Sequence, residues 1–152
     1  MPDVSTLTLR EAQRAGGGGK TARTFLDFYV SDRRLLDLLG WPDADYITPL
    51  GWGRAESQAD AVAELLRKRK PSLTTGRHQL YICPECGDIG CGAVTASVER
   101  EREFIVWRDF GFENDYEEPR LSEFTSIAPL YFEATAYWQA LSSFRPHETR
   151  TT

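Results

Sequence analysis

Arg77-His-Gln-Leu-Tyr-Ile-Cys-Pro-Glu-Cys-Gly-Asp-Ile-Gly-Cys-Gly-Ala-Val-Thr-Ala-Ser-Val-Glu-Arg-Glu-Arg-Glu-Phe-Ile-Val-Trp-Arg-Asp-Phe110 divides into three strand-like runs and two connections. Residues 77–83, 93–100 and 103–110 are the runs. The first connection is Gly-rich and, with Cys83 at the end of the first run, holds every cysteine of the chain, and the second is Glu101-Arg102. Val94, Ala96 and Val98 fall on one face, while Phe104, Val106 and Phe110 alternate with Ile105, Trp107 and Asp109. That pattern predicts an antiparallel meander covered in places on both faces.

The first connection also reads as a metal knuckle. In Cys83-Pro-Glu-Cys-Gly the ring of Pro84 pre-sets φ, and Gly87 permits a positive φ that a side chain would resist. Two sulfurs are thereby aimed at one point, and Cys91 returns a third. Cys83, Cys86 and Cys91 are the candidate metal ligands, with zinc as the candidate ion, but a closed structural zinc site takes four ligands. His78 lies five residues before Cys83 on a predicted strand, a separation of roughly 16 Å, which removes it unless the strand breaks. His147, Glu85 and Asp88 remain as donors that spacing does not specify. Two other readings stay open. The thiols can be small apolar groups in a turn. A Cys83/Cys86 redox pair is the other, although such pairs open a helix beside a βαβ pattern not visible here.

Outward from this segment the chain reads as follows. Residues 6–10 alternate as a first strand, residues 15–21 form a flexible Gly-rich connection, and residues 23–30 form a second, central strand. A short helix is predicted over Asp32 to Leu39, ending at Gly40. Glu56 to Lys70 carries Ala59, Val62, Ala63 and Leu66 in a helical stripe closed by Pro71. Glu133 to Phe144 reads as a last helix, with Phe132, Ala136, Ala140 and Phe144 and the pair Tyr137 and Leu141 at helical spacing, and Pro146 ends it. Pro129 demotes the run before it to an edge strand or loop. The sum is an α+β fold: a mostly antiparallel sheet of about five strands with two or three helices, in one domain over residues 1–146 with a tail at 147–152.

With 152 residues, 41% apolar and 12% aromatic, the chain has material for one real core. No apolar run approaches a membrane span and the first residues lack the features of a secretion signal. A cytoplasmic protein is expected, since an odd number of clustered cysteines suits a reducing compartment. The net charge of −5 argues against nonspecific nucleic-acid binding and favours a basic protein as partner. Asp109, Glu113, Asp115, Glu117 and Glu118 are the candidate surface for it. Arg67-Lys-Arg-Lys70 is expected at a helix C-terminus, where cations suit the dipole and need no ligand. Gly16-Gly-Gly-Gly-Lys-Thr21 lacks the first glycine of a phosphate loop, since Arg14 stands there. Trp41, Tyr46 and Trp52 are expected to cap the core.

The cysteine turn, the run Val106-Trp-Arg-Asp-Phe-Gly and the later Tyr131-Phe-Glu with Tyr137 and Leu141 resemble a scattered group of bacterial proteins with no established reaction. In that group a Cys-x(1–2)-Cys-Gly turn with a following Gly-Cys precedes a Val-x-Trp strand and a Phe-led helix. The resemblance spans about residues 77–142 and implies an architecture only. Two functional expectations follow from the residues. The first is a small noncatalytic binding protein, such as an immunity or antitoxin-type partner of a basic protein, with a structural zinc in the cysteine turn. The second is a metal-dependent enzyme or sensor whose three thiolates leave one coordination position open.

Overall fold

The computed structural model describes residues 3–143 except 115 and 125. Two sheets and three helices make up the α+β fold among these residues. The larger sheet has strands β1 (Val4–Ser5), β5 (His78–Tyr81), β6 (Ala93–Glu101), β7 (Phe104–Glu113) and β8 (Leu130–Glu133), in the order β1-β8-β7-β6-β5. Every pairing in it is antiparallel except β1 with β8, which is parallel. The smaller sheet is β2 (Leu7–Arg14), β3 (Arg23–Val30) and β4 (Arg33–Arg34), with β3 central. The helices are α1 (Leu35–Leu38), α2 (Ala55–Leu65) and α3 (Ala134–Ser142).

The predicted meander is β5-β6-β7, with Glu101 opposite Phe104 across its second turn. Its third strand runs further than the alternation suggested, to Glu113, because a bulge opposite Thr95–Ser97 resets the register. Asp109 takes a positive φ of 54° at that bulge. Strand β8 is an interior strand and not an edge: Pro129 stands just ahead of it, so no ladder donor is lost. The Gly-rich stretch makes the tip of the β2-β3 hairpin, where Gly17 and Lys20 exchange two backbone hydrogen bonds of 3.0 Å.

Helix α2 stops five residues before the expected end. Arg67 adopts φ 61°, the Lys68 N–H bonds to the Ala63 carbonyl at 2.9 Å, and the Arg67 N–H bonds to Glu64 at 3.0 Å. This is a left-handed cap of the kind usually built on glycine. The basic run therefore follows the helix and does not form its last turn. The buried face of α2 is Gln58, Val62 and Leu65, whereas Ala59 is exposed. Gln58 is inside because its amide receives the Gly51 N–H at 3.1 Å and donates to the Gly53 carbonyl at 3.1 Å, fastening the preceding loop. In α3 the Glu133 carboxylate caps the N–H groups of Thr135 and Ala136, both at 3.1 Å. Its buried residues are Tyr137 and Leu141, while Ala136 is exposed. Phe144, Pro146 and the tail from 147 lie outside the described residues.

The two sheets meet at Trp107, which is fully buried. Its ring stands edge-on to Phe28 of β3 at 5.4 Å, to Phe132 of β8 at 5.1 Å and to Tyr137 of α3 at 6.1 Å. Such pairs add about 0.5–1.5 kcal/mol each beyond area burial. The Trp107 indole donates to the Tyr137 hydroxyl at 3.2 Å, which donates in turn to the Leu65 carbonyl at 2.6 Å. One chain of bonds thus ties β7, α3 and α2. Trp41 and Tyr46 pack on the same core beside Phe112, as expected of capping rings.

Candidate metal centre

Strand β5 delivers the chain to the cysteine turn, and the turn is held at its root before any sulfur is considered. Ile82 exchanges backbone bonds of 2.7 and 3.1 Å with Ile47. Beyond it the Cys83 carbonyl accepts from the Gly87 N–H at 2.9 Å, closing a loop that Gly87 permits with φ 69°. Asp88 accepts from the Gly90 N–H at 2.9 Å and so opens a single 3₁₀ turn over Ile89–Cys91. Gly92 then reverses the chain at φ 91°; a Cβ there would fall 2.2 Å from the Phe112 ring.

These bends bring the three sulfurs together. The Sγ atoms of Cys83, Cys86 and Cys91 all lie within 4.8 Å of one another, and those of Cys86 and Cys91 are 3.0 Å apart. Three thiolates on one tetrahedral zinc, each at ~2.3 Å, would stand ~3.8 Å apart. The cluster therefore has the donor type and the scale for a single soft ion. Cys83 is half-buried, and Cys86 and Cys91 are exposed. The Asp88 N–H points at the Cys86 sulfur at 3.4 Å. Partial burial opposes a charge on Cys83, but the backbone N–H groups of Cys86 and Glu85 outweigh it and bring that thiol below its ordinary range. Cys91 is pushed up to about 12, first by its hydrogen bond with Cys86 and then by loss of water. Ionisation is thus made easier at one sulfur and harder at another, whose proton a bound ion would have to displace.

Among the described residues no histidine, aspartate or glutamate joins the three cysteines as a fourth ligand. His78 sits at the start of β5, outside the cluster. Asp88 is occupied in its own turn. Glu85 turns outward: its carboxylate accepts from the Thr21 N–H at 3.0 Å and from Arg14 at 3.3 Å. His147 lies outside the described residues.

The same contacts dock the β2-β3 hairpin tip on the knuckle. Arg14 donates to both carboxylate oxygens of Asp45 at 2.8 and 2.9 Å, and Arg23 donates to the Pro84 carbonyl at 3.0 Å. The Arg14 hydrogen bond holds the Asp45 carboxyl below its usual range. Nothing in the spacing marks Arg14, Asp45 or Arg23, since each acts on a residue far away in the chain. A phosphate loop would lead from a strand into a helix, and here Gly16 to Thr21 joins two strands.

The acidic candidates divide by burial. Asp109, Glu117 and Glu118 are exposed, and Asp115 lies outside the described residues. Glu113 is buried, 4% exposed, with its carboxylate 3.5 Å from the Arg77 guanidinium and accepting from the Thr75 hydroxyl at 3.1 Å. It became an inward-facing residue because β7 extends through it. Burial pushes the Glu113 carboxyl up and the Arg77 guanidinium down. No helix among the described residues is long and apolar enough to cross a membrane. No family model, curated protein or solved structure matches the chain.

Proposed function

We propose that this is a small metal-binding protein in which Cys83, Cys86 and Cys91 hold one zinc ion as a structural pin. The carrying observation is the convergence of three sulfurs within 4.8 Å on a turn rooted independently at Ile47 and Ile82. Bound there, zinc would neutralise the thiolates and fix the corner on which the hairpin rests. Elemental analysis of the purified protein should return about one equivalent of zinc per chain. Cys83→Ser, Cys86→Ser and Cys91→Ser should each remove it, and a wild-type protein free of metal after anaerobic purification sinks the reading.

The remaining surface is assigned to a noncatalytic role, the binding of a basic protein in the cytoplasm by an immunity or antitoxin-type partner. Its support is the net charge of −5 and the exposure of Asp109, Glu117 and Glu118. Glu113 is excluded from that surface by its burial. Reversing Glu117 and Glu118 to lysine should slow association with the partner recovered from native lysate and flatten its salt dependence. A second reading, an enzyme or sensor with one open coordination position, is favoured by a single observation: no fourth carboxylate or imidazole among the described residues reaches the sulfurs. The cysteine variants separate the two. A structural ion predicts lost folding stability, whereas an open site predicts a folded protein that no longer responds to its ligand.

A further inference from the structure

The three sulfurs of the knuckle are not equivalent. Cys83 is half-buried, whereas Cys86 and Cys91 are both exposed, and the Sγ atoms of the exposed pair stand 3.0 Å apart. Two thiolates on one tetrahedral zinc would be ~3.8 Å apart, and two sulfurs in a disulfide ~2.05 Å. The pair therefore stands between the two arrangements, and a movement of about 1 Å reaches either. It cannot occupy both, since a sulfur bonded to sulfur is no longer a thiolate ligand.

The chain between the two cysteines is a loop and not a ladder. Gly87 turns at φ 69°, Asp88 caps a single 3₁₀ turn over Ile89–Cys91, and β6 begins only at Ala93. The side chains can close on each other without breaking a strand pairing. Exposure also gives a small oxidant access to both sulfurs, and an accessible cysteine beside a second one is the arrangement in which oxidation ends in a disulfide.

We infer that Cys86 and Cys91 are a peroxide-modifiable pair, closing reversibly into a disulfide that withdraws two of the three donors from the ion, while Cys83 keeps its thiol. The disulfide half of this statement rests on the sulfur geometry, and the metal half rests on the zinc reading above. In the first step one sulfur, as thiolate, attacks an oxygen of hydrogen peroxide. An S–O bond forms, the O–O bond breaks, and the departing hydroxide takes up the proton that the thiol gave up. In the second step the partner sulfur displaces the oxygen of that sulfenic acid. The S–S bond forms as the S–O bond breaks, and the oxygen leaves with the second thiol's proton as water. Two electrons have passed from the sulfur pair to the peroxide. A dithiol reverses the bond by exchange, to which exposed disulfides are open.

The test uses the full chain, reduced, stripped of metal by a chelator under argon, and treated with one equivalent of hydrogen peroxide. Of its three thiols one should remain, and the intact mass should fall by two hydrogens. With the remaining thiol alkylated, cleavage before Asp88 should leave fragments still joined through sulfur, with the label on Cys83. Cys83→Ser should form the bond within about twofold of the wild-type rate, whereas Cys86→Ser and Cys91→Ser should close an intramolecular bond roughly tenfold more slowly. In zinc-loaded wild type, peroxide should release the ion in step with the bond, and dithiothreitol should restore both. The pairing is overturned by a label on Cys86 or Cys91 in place of Cys83, by oxidation that stops at sulfenic or sulfinic acid, or by Cys86→Ser closing as fast as wild type. Retention of zinc by a chain that carries the disulfide overturns the competition. A chain that never takes up zinc removes the pin and with it the metal half of the statement, while the stripped protein still decides the disulfide half.

Discussion

Strand β5 runs between two polar clusters that obey opposite rules. At its end Tyr81 enters the first: the carboxylate of Asp27, 1% exposed, accepts from the Tyr81 hydroxyl at 2.6 Å, the Phe28 N–H at 2.8 Å and the Arg34 guanidinium at 2.9 Å. Two residues later Cys83 begins the second, in which three sulfurs face mainly one another. The Asp27 cluster is buried and satisfied within the fold, so it does structural work and calls for nothing outside it. The sulfur cluster is partly exposed, and its three donors are placed so that they could hold an ion from outside the chain. Saturation of its valences, more than the polarity of its members, separates a part of the scaffold from a candidate site.

The contrast can be broken most forcefully at Asp27. Asp27→Ala takes the acceptor from the buried Tyr81 hydroxyl and the Phe28 N–H, while Arg34 keeps Asp37 and the Pro42 carbonyl, and should cost about 1–3 kcal/mol for each donor left unsatisfied. Urea unfolding should show the same loss with and without chelator. Cys83→Ser should behave differently. With zinc held a hundred- to a thousandfold above its dissociation constant, the ion adds about 2.7 to 4.1 kcal/mol. The variant should lose that amount only relative to zinc-loaded wild type, and a chelator should bring the two together. An equal deficit under chelation would falsify the division between the clusters.

Gly92→Ala probes the turn without touching a ligand. Its Cβ would meet the Phe112 ring at a positive φ, so a loss of about 1–3 kcal/mol is expected, largely independent of zinc. The smallest effect is electrostatic. Because the Asp45 carboxyl is held below its ordinary value by Arg14, its contribution is complete above the unfolded pKa of about 3.9 and disappears as the pH falls through the lower folded value. The Arg14 side-chain NMR signal should be constant from about pH 7 to pH 5 and move only in stronger acid; a midpoint above the unfolded value would contradict the bond.

The legible parts of this molecule were those whose physics is local. Alternation set the meander, and proline and glycine placement drew the three cysteines to one point. What sequence could not give was decided by distant partners. Strand β1 has two residues, too few for any periodicity, and exists because β8 offers a parallel edge. The early end of α2 rests on an arginine in a conformation that glycine usually takes, which no local signal announces. Glu113 looked like one more exposed acid until the bulge at Asp109 carried β7 past it and Arg77 received it inside. That the buried Nδ1 of His78 has no hydrogen-bond partner becomes visible only once α2 and β5 are packed together.

Arg23 leaves the chain with an optical gauge of its own. Its guanidinium donates to the Pro84 carbonyl at the base of the knuckle and lies 4.5 Å from the centre of the Trp52 ring. Indole emission responds to a charge at that range, so any displacement of the sulfur-bearing corner should register as a change in colour or brightness from a residue outside it. Loading and stripping of the proposed ion would then be followed in the protein's own emission, with no dye attached and no cysteine spent on a label.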